Sequence, residues 1–195
     1  MTQLVLASTS PYRREVLERL GIPFETSSPN IDETILPNEK PEKLVARLAE
    51  SKARAVQKEY PDALIIGSDQ VAVLDNQILG KPGNHKNAVE QLSNANGKAV
   101  LFLTGLCLLN SSTNTSQTIV ERYSVKFRHL SSKQINNYLQ REKPYNCAGS
   151  FKSEGLGISL FEKMEGDDPN ALIGLPVIAL VRMLSYEGID VLGEK

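Results

Sequence analysis

Apolar positions in this chain come in short runs separated by polar, turn-forming stretches, and their spacing changes character from run to run. Leu4-Val5-Leu6-Ala7 is continuous and of strand length, so it reads as a buried strand. It breaks into Ser8-Thr9-Ser10. Ser10 suits a helix N-cap and Pro11 the first helical position, and Val16, Leu17 and Leu20 then recur at helical spacing until Gly21. Ile22 to Thr26 predicts a second short strand. Residues 27–41 form a polar, proline-rich loop with an acidic centre, Ile31-Asp32-Glu33-Thr34, and loops of that length in compact domains are often functional. Pro41 opens a helix with Leu44, Val45, Leu48, Ala49 and Val56 on one face. Lys52 falls on that same face, where a lysine either snorkels out along its stem or points into a pocket.

Ala63 to Gly67 reads as a central strand, ending in Ser68-Asp69-Gln70, so Asp69 is expected at the carboxyl end of a buried strand, the edge where open α/β sheets bind ligands. Val71–Leu74 and Gln77–Leu79 flank Asp75-Asn76 as a two-residue hairpin that delivers Gly80-Lys81-Pro82. Residues 84–96 predict a helix stopped by Gly97. Ala99–Leu109 and Thr118–Leu130 are strand-like and joined by a tip of Ser, Thr, Asn and Gln. His129 continues the strand alternation and His85 reads as exposed; neither has a nucleophile nearby in sequence. Ser132–Arg141 predicts a helix with Ile135, Tyr138 and Leu139 inward. Residues 147–161 are punctuated by Gly149, Gly155 and Gly157, implying bulges or close approach, and Ile158–Phe161 is expected to be the last strand. Leu172–Leu184 reads as one buried helix, kinked at Pro176.

Composition narrows the class. The chain has 195 residues and a net charge of −1, enough for one sizeable core but not for a generally basic surface that would grip long nucleic acid. Cys107 and Cys147 sit among apolar or small neighbours without metal-ligand spacing, as buried reduced thiols do. No window reaches the roughly 20 apolar residues of a membrane span, and the N-terminal run is too short for a signal peptide, so a soluble, cytoplasmic chain is expected. No repeat or interdomain linker is visible. The expectation is a single domain over residues 1–195, with two lobes around a central cleft as its possible subdivision.

The first helix carries the clearest chemical oddity. Arg13 and Arg14 lie in its first turn, where cations oppose the macrodipole, while free N–H groups there favour an anion. With Ser8 and Ser10 this points to a phosphate cradle. Adding Glu33, Lys52, Asp69 and Lys81 gives two acids among several cations, the set that metal-assisted phosphoryl chemistry needs: acids to hold Mg²⁺ or Mn²⁺ and activate water, cations to neutralise the polyphosphate. No P-loop lysine motif and no histidine-based nucleophile set is present, so direct attack by water is the economical reading.

Leu6-Ala7-Ser8-Thr9-Ser10-Pro11 with Arg13-Arg14, Asp32-Glu33-Thr34, Lys52-Ala53, Ile66-Gly67-Ser68-Asp69-Gln70, Gly80-Lys81-Pro82 and Gly149-Ser150-Phe151-Lys152-Ser153-Glu154-Gly155 together resemble the Maf family of nucleotide pyrophosphatases, in family order and over nearly the whole chain. The resemblance implies a three-layer α/β/α fold with a mixed twisted sheet of the inosine-triphosphatase-like type, commonly dimeric. It also implies hydrolysis of a nucleoside triphosphate between its α and β phosphates with a divalent cation. By position, Asp69 matches the general base, Glu33 a second acid near the metal, and Ser8, Arg13, Lys52 and Lys81 the groups around the phosphates. Arg14 is the weaker candidate, since adjacent helical residues face different ways. Gln70 follows the base, and Glu154 stands where the dTTP/UTP-hydrolysing branch carries Gln. With Tyr12 beside the cradle this resembles the branch acting on 7-methyl-GTP. Tyr12 offers a face to a cationic methylated guanine, and Glu154 offers an acceptor to guanine N1–H and the exocyclic amine. The competing expectations are the same chemistry on dTTP, UTP or another altered nucleotide, and a non-enzymatic regulator of septum formation.

Overall fold

The computed structural model describes residues 2–193. Its strands are β1 (Gln3–Ala7), β2 (Glu25–Ser27), β3 (Ala63–Leu74), β4 (Gln77–Leu79), β5 (Ala99–Asn110), β6 (Thr115–Phe127) and β7 (Phe161–Gly166). Its helices are α1 (Pro11–Glu18), α2 (Pro41–Ala55), α3 (His85–Ala95), α4 (Ser132–Glu142), α5 (Pro169–Ile173) and α6 (Val177–Tyr186). The sheet order is β2-β1-β3-β5-β6-β7, with β4 on β3. It is mixed: β1 pairs parallel with β2 and β3, whereas β3–β4 and β6–β7 are antiparallel. The chain forms two compact units, 1–69 with 104–121 and 168–195, and 70–103 with 122–167.

The first unit is layered because its strands alternate. Leu4, Leu6, Leu64, Ile66, Leu106 and Leu108 face α1 and α6, packing with Val16, Leu17, Leu180 and Leu184. Val5, Ala7, Ala63, Ile65, Cys107 and Leu109 face the other way, onto Ala49, Ala53 and Val56 of α2. Gly67 and Gly105 continue that second face. A Cβ on Gly67 would meet the Ala49 carbonyl oxygen at 2.0 Å, and one on Gly105 the Val45 oxygen at 2.1 Å, so α2 lies directly on the strand backbones. The second unit is centred on aromatic rings. Phe151 meets Phe102, Phe127 and Phe161 edge to face, with centroids 5.3, 5.7 and 4.8 Å away.

Several elements depart from the sequence expectation, each for a local reason. β3 does not end at Ser68-Asp69; it runs through them to Leu74, so Asp69 is a strand-interior residue. Its polar side chains are satisfied by partners, Ser68 by the Gly105 and Gly174 carbonyls and Asp69 by Lys52, and therefore do not interrupt the ladder. β2 starts at Glu25, because Ile22 and Phe24, half-buried, pack against the core instead and Pro23 has no N–H to give. Residues 156–160 form a 3₁₀ turn, and the last strand follows at Phe161. The expected single helix over 172–184 is two. Gly174 adopts φ 113° and Pro176 becomes the N-cap of α6, since a proline there cannot continue the ladder of α5. The Asp75-Asn76 hairpin is present, with φ of 50° and 64°. His129 lies beyond β6 and is exposed, whereas His85 is half-buried, within hydrogen-bond distance of Tyr145 and Asn136.

Candidate active site

Because α2 rides so closely on β3, Ala49 and Lys52 lie over Gly67 and Asp69, which share one strand face. Lys52 Nζ reaches Asp69 Oδ1 at 2.6 Å and Glu33 Oε1 at 2.7 Å. The Lys52 and Asp69 side chains are 8% and 11% exposed, whereas Glu33 is 57% exposed. One ammonium thus bridges a buried carboxylate and one open to solvent. Lys52 therefore does not snorkel to solvent; its ammonium ends on these two carboxylates.

Glu33 sits on the long loop, and that loop is anchored. Arg47 grips Glu39 through Nε at 2.6 Å and Nη2 at 2.7 Å, and Nη2 also donates to the Thr34 carbonyl at 3.1 Å. The Arg47 fork holds the Glu39 carboxyl down to about 2. The Asp32 carboxylate accepts from the Thr34 hydroxyl and N–H, an Asx turn whose bonds lower its pKa. Asp32-Glu33-Thr34 is therefore a shaped tip, with its middle carboxylate delivered to Lys52.

The cradle at α1 forms as well. Ser10 caps the helix, accepting from Arg13 N at 3.4 Å, and the Ser8 hydroxyl accepts from Ser10 N at 3.1 Å and from Arg13 Nη1 at 3.5 Å. Arg13 Nε donates to the Gly174 carbonyl at 2.9 Å, and the same oxygen accepts from Ser68 Oγ at 2.8 Å. Burial lowers the Arg13 pKa while the charges of Asp69 and Glu33 oppose it, and an arginine so placed stays cationic. Ser8, Arg13, Glu33, Lys52 and Asp69 thus form one electrostatic neighbourhood. Tyr12 is half-buried in the first turn of α1. Arg14 points out to an exposed pair with Glu18 at 2.9 Å and is not part of the cradle.

Gln70, Lys81 and Glu154 belong to the second unit. Gln70 is half-buried; Lys81 and Glu154 are exposed. The Glu154 segment is shaped by its surroundings. Phe151 is clamped in the ring cluster, Lys152 N donates to Tyr138 Oη at 3.2 Å, and Leu156 N donates to Glu142 Oε2 at 2.9 Å. Burial raises the Tyr138 pKa, so its hydroxyl keeps its proton at neutral pH.

Four supporting residues escaped the sequence reading. Arg47 and Glu39 are eight positions apart with ordinary surface chemistry, and nothing local marks them as the anchor of the loop. Ser68 read only as a strand end. Asp168 did leave a signal, standing directly before Pro169 as an N-cap does. It is 2% exposed, accepts from Asn170 N at 2.8 Å, and with its other oxygen accepts from Ile178 N at 2.8 Å, joining the starts of α5 and α6. Gly174, which receives Arg13, lies in the break between those two helices.

Residues 3–187 match the model of the family described as Maf-like protein. A protein of Nitrosococcus oceani named 7-methyl-GTP pyrophosphatase is 61% identical over 189 residues, covering 97% of this chain and 95% of its own. A Colwellia psychrerythraea protein of the same name is 59% identical over 195 residues, covering 100% and 98%. The Staphylococcus aureus Ham1 protein structure aligns with TM-score 0.54 at 11% identity, over 95% of this chain and 100% of that one, which establishes likeness of fold alone. The fold is accordingly the α/β type expected, and with a family match across nearly its whole length the chain belongs to the Maf family.

Proposed function

We propose that this protein is a nucleoside triphosphate pyrophosphatase that hydrolyses 7-methyl-GTP to 7-methyl-GMP and pyrophosphate. The observation that carries the chemistry is Lys52 Nζ between Asp69 and Glu33, in the electrostatic reach of Arg13. The names of the relatives support the substrate.

In this mechanism Asp69 takes the proton of the attacking water. Water adds across the α–β anhydride bridge, and the bridging bond breaks with its electrons leaving on pyrophosphate. Arg13 and the Ser8 hydroxyl hold phosphate oxygens, Lys52 keeps Asp69 oriented, and Lys81 adds positive charge at the polyphosphate. A divalent cation fits the donor set. Among the described residues no group of three or more His, Cys, Asp or Glu side chains forms a cage, but Asp69 and Glu33 converge on one cationic group. Mg²⁺ is commonly held by one or two carboxylates with water and phosphate oxygens completing its shell. Asp69 and Glu33 would hold it, and it would supply neutralisation of charge developing on the phosphates.

For the base, Gln70 and Tyr12 are contact candidates, Tyr12 by stacking on the cationic ring. Glu154 accepts from guanine N1–H and the exocyclic amine, whereas a pyrimidine edge would turn carbonyl oxygens toward it. Such a mispaired acceptor costs about 1–3 kcal/mol, roughly tenfold or more in preference. The test is pyrophosphate release from a panel of normal and methylated nucleoside triphosphates, with Asp69→Asn and Glu154→Gln alongside. 7-Methyl-GTP is expected to lead the panel, and Asp69→Asn to lose about 10²–10⁴ in rate. Equal rates on UTP and 7-methyl-GTP would overturn the substrate assignment, and an active Asp69→Asn would overturn the base.

A further inference from the structure

Two segments of the second unit that carry the proposed nucleotide contacts Lys81 and Glu154, Gly80-Lys81-Pro82 and 148–154, are joined by one side chain. Gln91, on α3, donates through Nε2 to the Gly80 carbonyl at 3.0 Å. Its Oε1 accepts from the Ser150 hydroxyl at 2.5 Å. A primary amide suits this place because it is donor at one end and acceptor at the other. A carboxylate would meet the Gly80 carbonyl oxygen with another acceptor, and an apolar side chain would serve neither end.

The Ser150 end is under conformational tension. Gly149 and Ser150 both adopt left-handed backbone, φ 73° and 65°, and Ser150 is fully buried. A serine keeps that conformation only where its surroundings over-determine it. The bonds that do so are Ser150 N to the Cys147 carbonyl at 3.2 Å and the hydroxyl to Gln91. The next residue is Phe151, fixed in the ring cluster, and Glu154 follows within one turn. At the other end the segment bearing Lys81 is held by its neighbours in the same way. Asn87 Nδ2 donates to the Pro82 carbonyl at 2.9 Å, and Gly83 N donates to the Tyr145 carbonyl at 2.9 Å. Gly80, immediately before Lys81, is held by Gln91.

We propose that Gln91 is a positioning residue that ties the Lys81 segment to the Ser150–Glu154 segment, so that the polyphosphate cation and the base-reading carboxylate are set together. The proposal rests on the reading of Lys81 and Glu154 as substrate contacts and adds the coupling between them. It makes Gln91 a determinant of specificity without contact to substrate.

The test uses the full chain with Gln91→Glu, Gln91→Met and Ser150→Ala, each first checked for cooperative melting. Two readouts are taken, amide hydrogen exchange of 80–83 and 148–154, and kcat and KM for 7-methyl-GTP and UTP. In Gln91→Met both segments are expected to exchange at least about fivefold faster, the factor of one lost hydrogen bond, with kcat/KM for 7-methyl-GTP falling by a similar factor and its preference over UTP shrinking. Gln91→Glu is expected to loosen 80–83 more than 148–154, and Ser150→Ala the reverse. Unchanged exchange in both segments of Gln91→Met and Gln91→Glu overturns the tether. Faster exchange with unchanged kinetics overturns the positioning role. Lys81→Ala and Glu154→Gln separate the two levels: if they leave turnover intact, the substrate reading fails; if they impair it while Gln91→Met does not, the coupling alone fails.

Discussion

Lys52 carries an ammonium on a helix stripe otherwise made of Leu44, Val45, Leu48, Ala49 and Ala53, and two carboxylates answer it. Burying an ion pair costs desolvation that its attraction seldom exceeds by much, so the pair is weak evidence of stabilisation and better evidence of a site. Removing one partner is a different matter. Lys52→Met leaves the Asp69 carboxylate without its buried cation and is expected to lower stability by about 3–5 kcal/mol. Lys52→Met combined with Asp69→Leu is expected to recover most of that loss while releasing no pyrophosphate. Urea unfolding beside a turnover assay checks both, and full recovery of activity in the double variant would remove these residues from the mechanism. The residue types were legible in the chain, because a lysine on an apolar face and an aspartate after a buried run are both conspicuous. Their pairing was not, since side-chain direction depends on how closely α2 and β3 approach.

Gly67 sets that approach at the scale of elements. Its absent side chain lets the backbone of α2 lie where a Cβ would collide with the Ala49 carbonyl and Ala53 N. Gly67→Ala is expected to push the helix off the strand, costing about 1–3 kcal/mol or more and several degrees in Tm. Gly80→Ala, where a Cβ meets nothing within 4 Å, is the control expected to change Tm little. Because the shift moves Lys52 away from Asp69, Gly67→Ala is also expected to reduce turnover in the surviving folded protein. The loop bearing Glu33 gives a pH prediction. The Glu39 carboxyl is lowered from 4.5 to about 2 by Arg47, so the stabilisation it contributes is complete above its ordinary pKa and fades as pH falls toward about 2. The stability difference between wild type and Glu39→Gln, followed by denaturation across that range, is expected to be full near neutrality and to vanish at the acid end. A difference that grew on acidification would contradict the Arg47 anchor. Element placement was read well where local signals are strong, as at the Ser10-Pro11 start of α1 and the Asp75-Asn76 hairpin. It failed where a long-range partner satisfies a polar residue, as in β3, or where a break hides in an apolar run, as at Gly174 to Pro176.

For the molecule as a whole, the chain crosses between its two compact units at 69/70, 103/104, 121/122 and 167/168, three of these inside β3, β5 and β6. Ser8, Arg13, Glu33, Lys52 and Asp69 fall in one unit, Gln70, Lys81 and Glu154 in the other. A non-hydrolysable 7-methyl-GTP analogue with Mg²⁺ at about 100 times its Kd is expected to stabilise the fold by about 2.7 kcal/mol, on the order of 5–10 °C in Tm. Chelation is expected to remove most of that shift, and an equal shift in Asp69→Asn with Glu33→Gln would argue against those carboxylates as the cation's ligands. Among the described residues no helix is long and apolar enough to cross a membrane. The sequence by itself determined what short-range physics controls: the strands and helices with strong local patterns, the caps and turns with clear residue signals, and which charged types stand out against an apolar pattern. Only the tertiary structure decided which of those charges meet. Lys52 and Asp69 are 17 positions apart, Arg13 and the Gly174 carbonyl 161, and Gln91 and Ser150 59. Contacts at such separations depend on the alternation of strand faces, the close seat of α2 on Gly67 and Gly105, and the break before α6, and no local spacing encodes their sum.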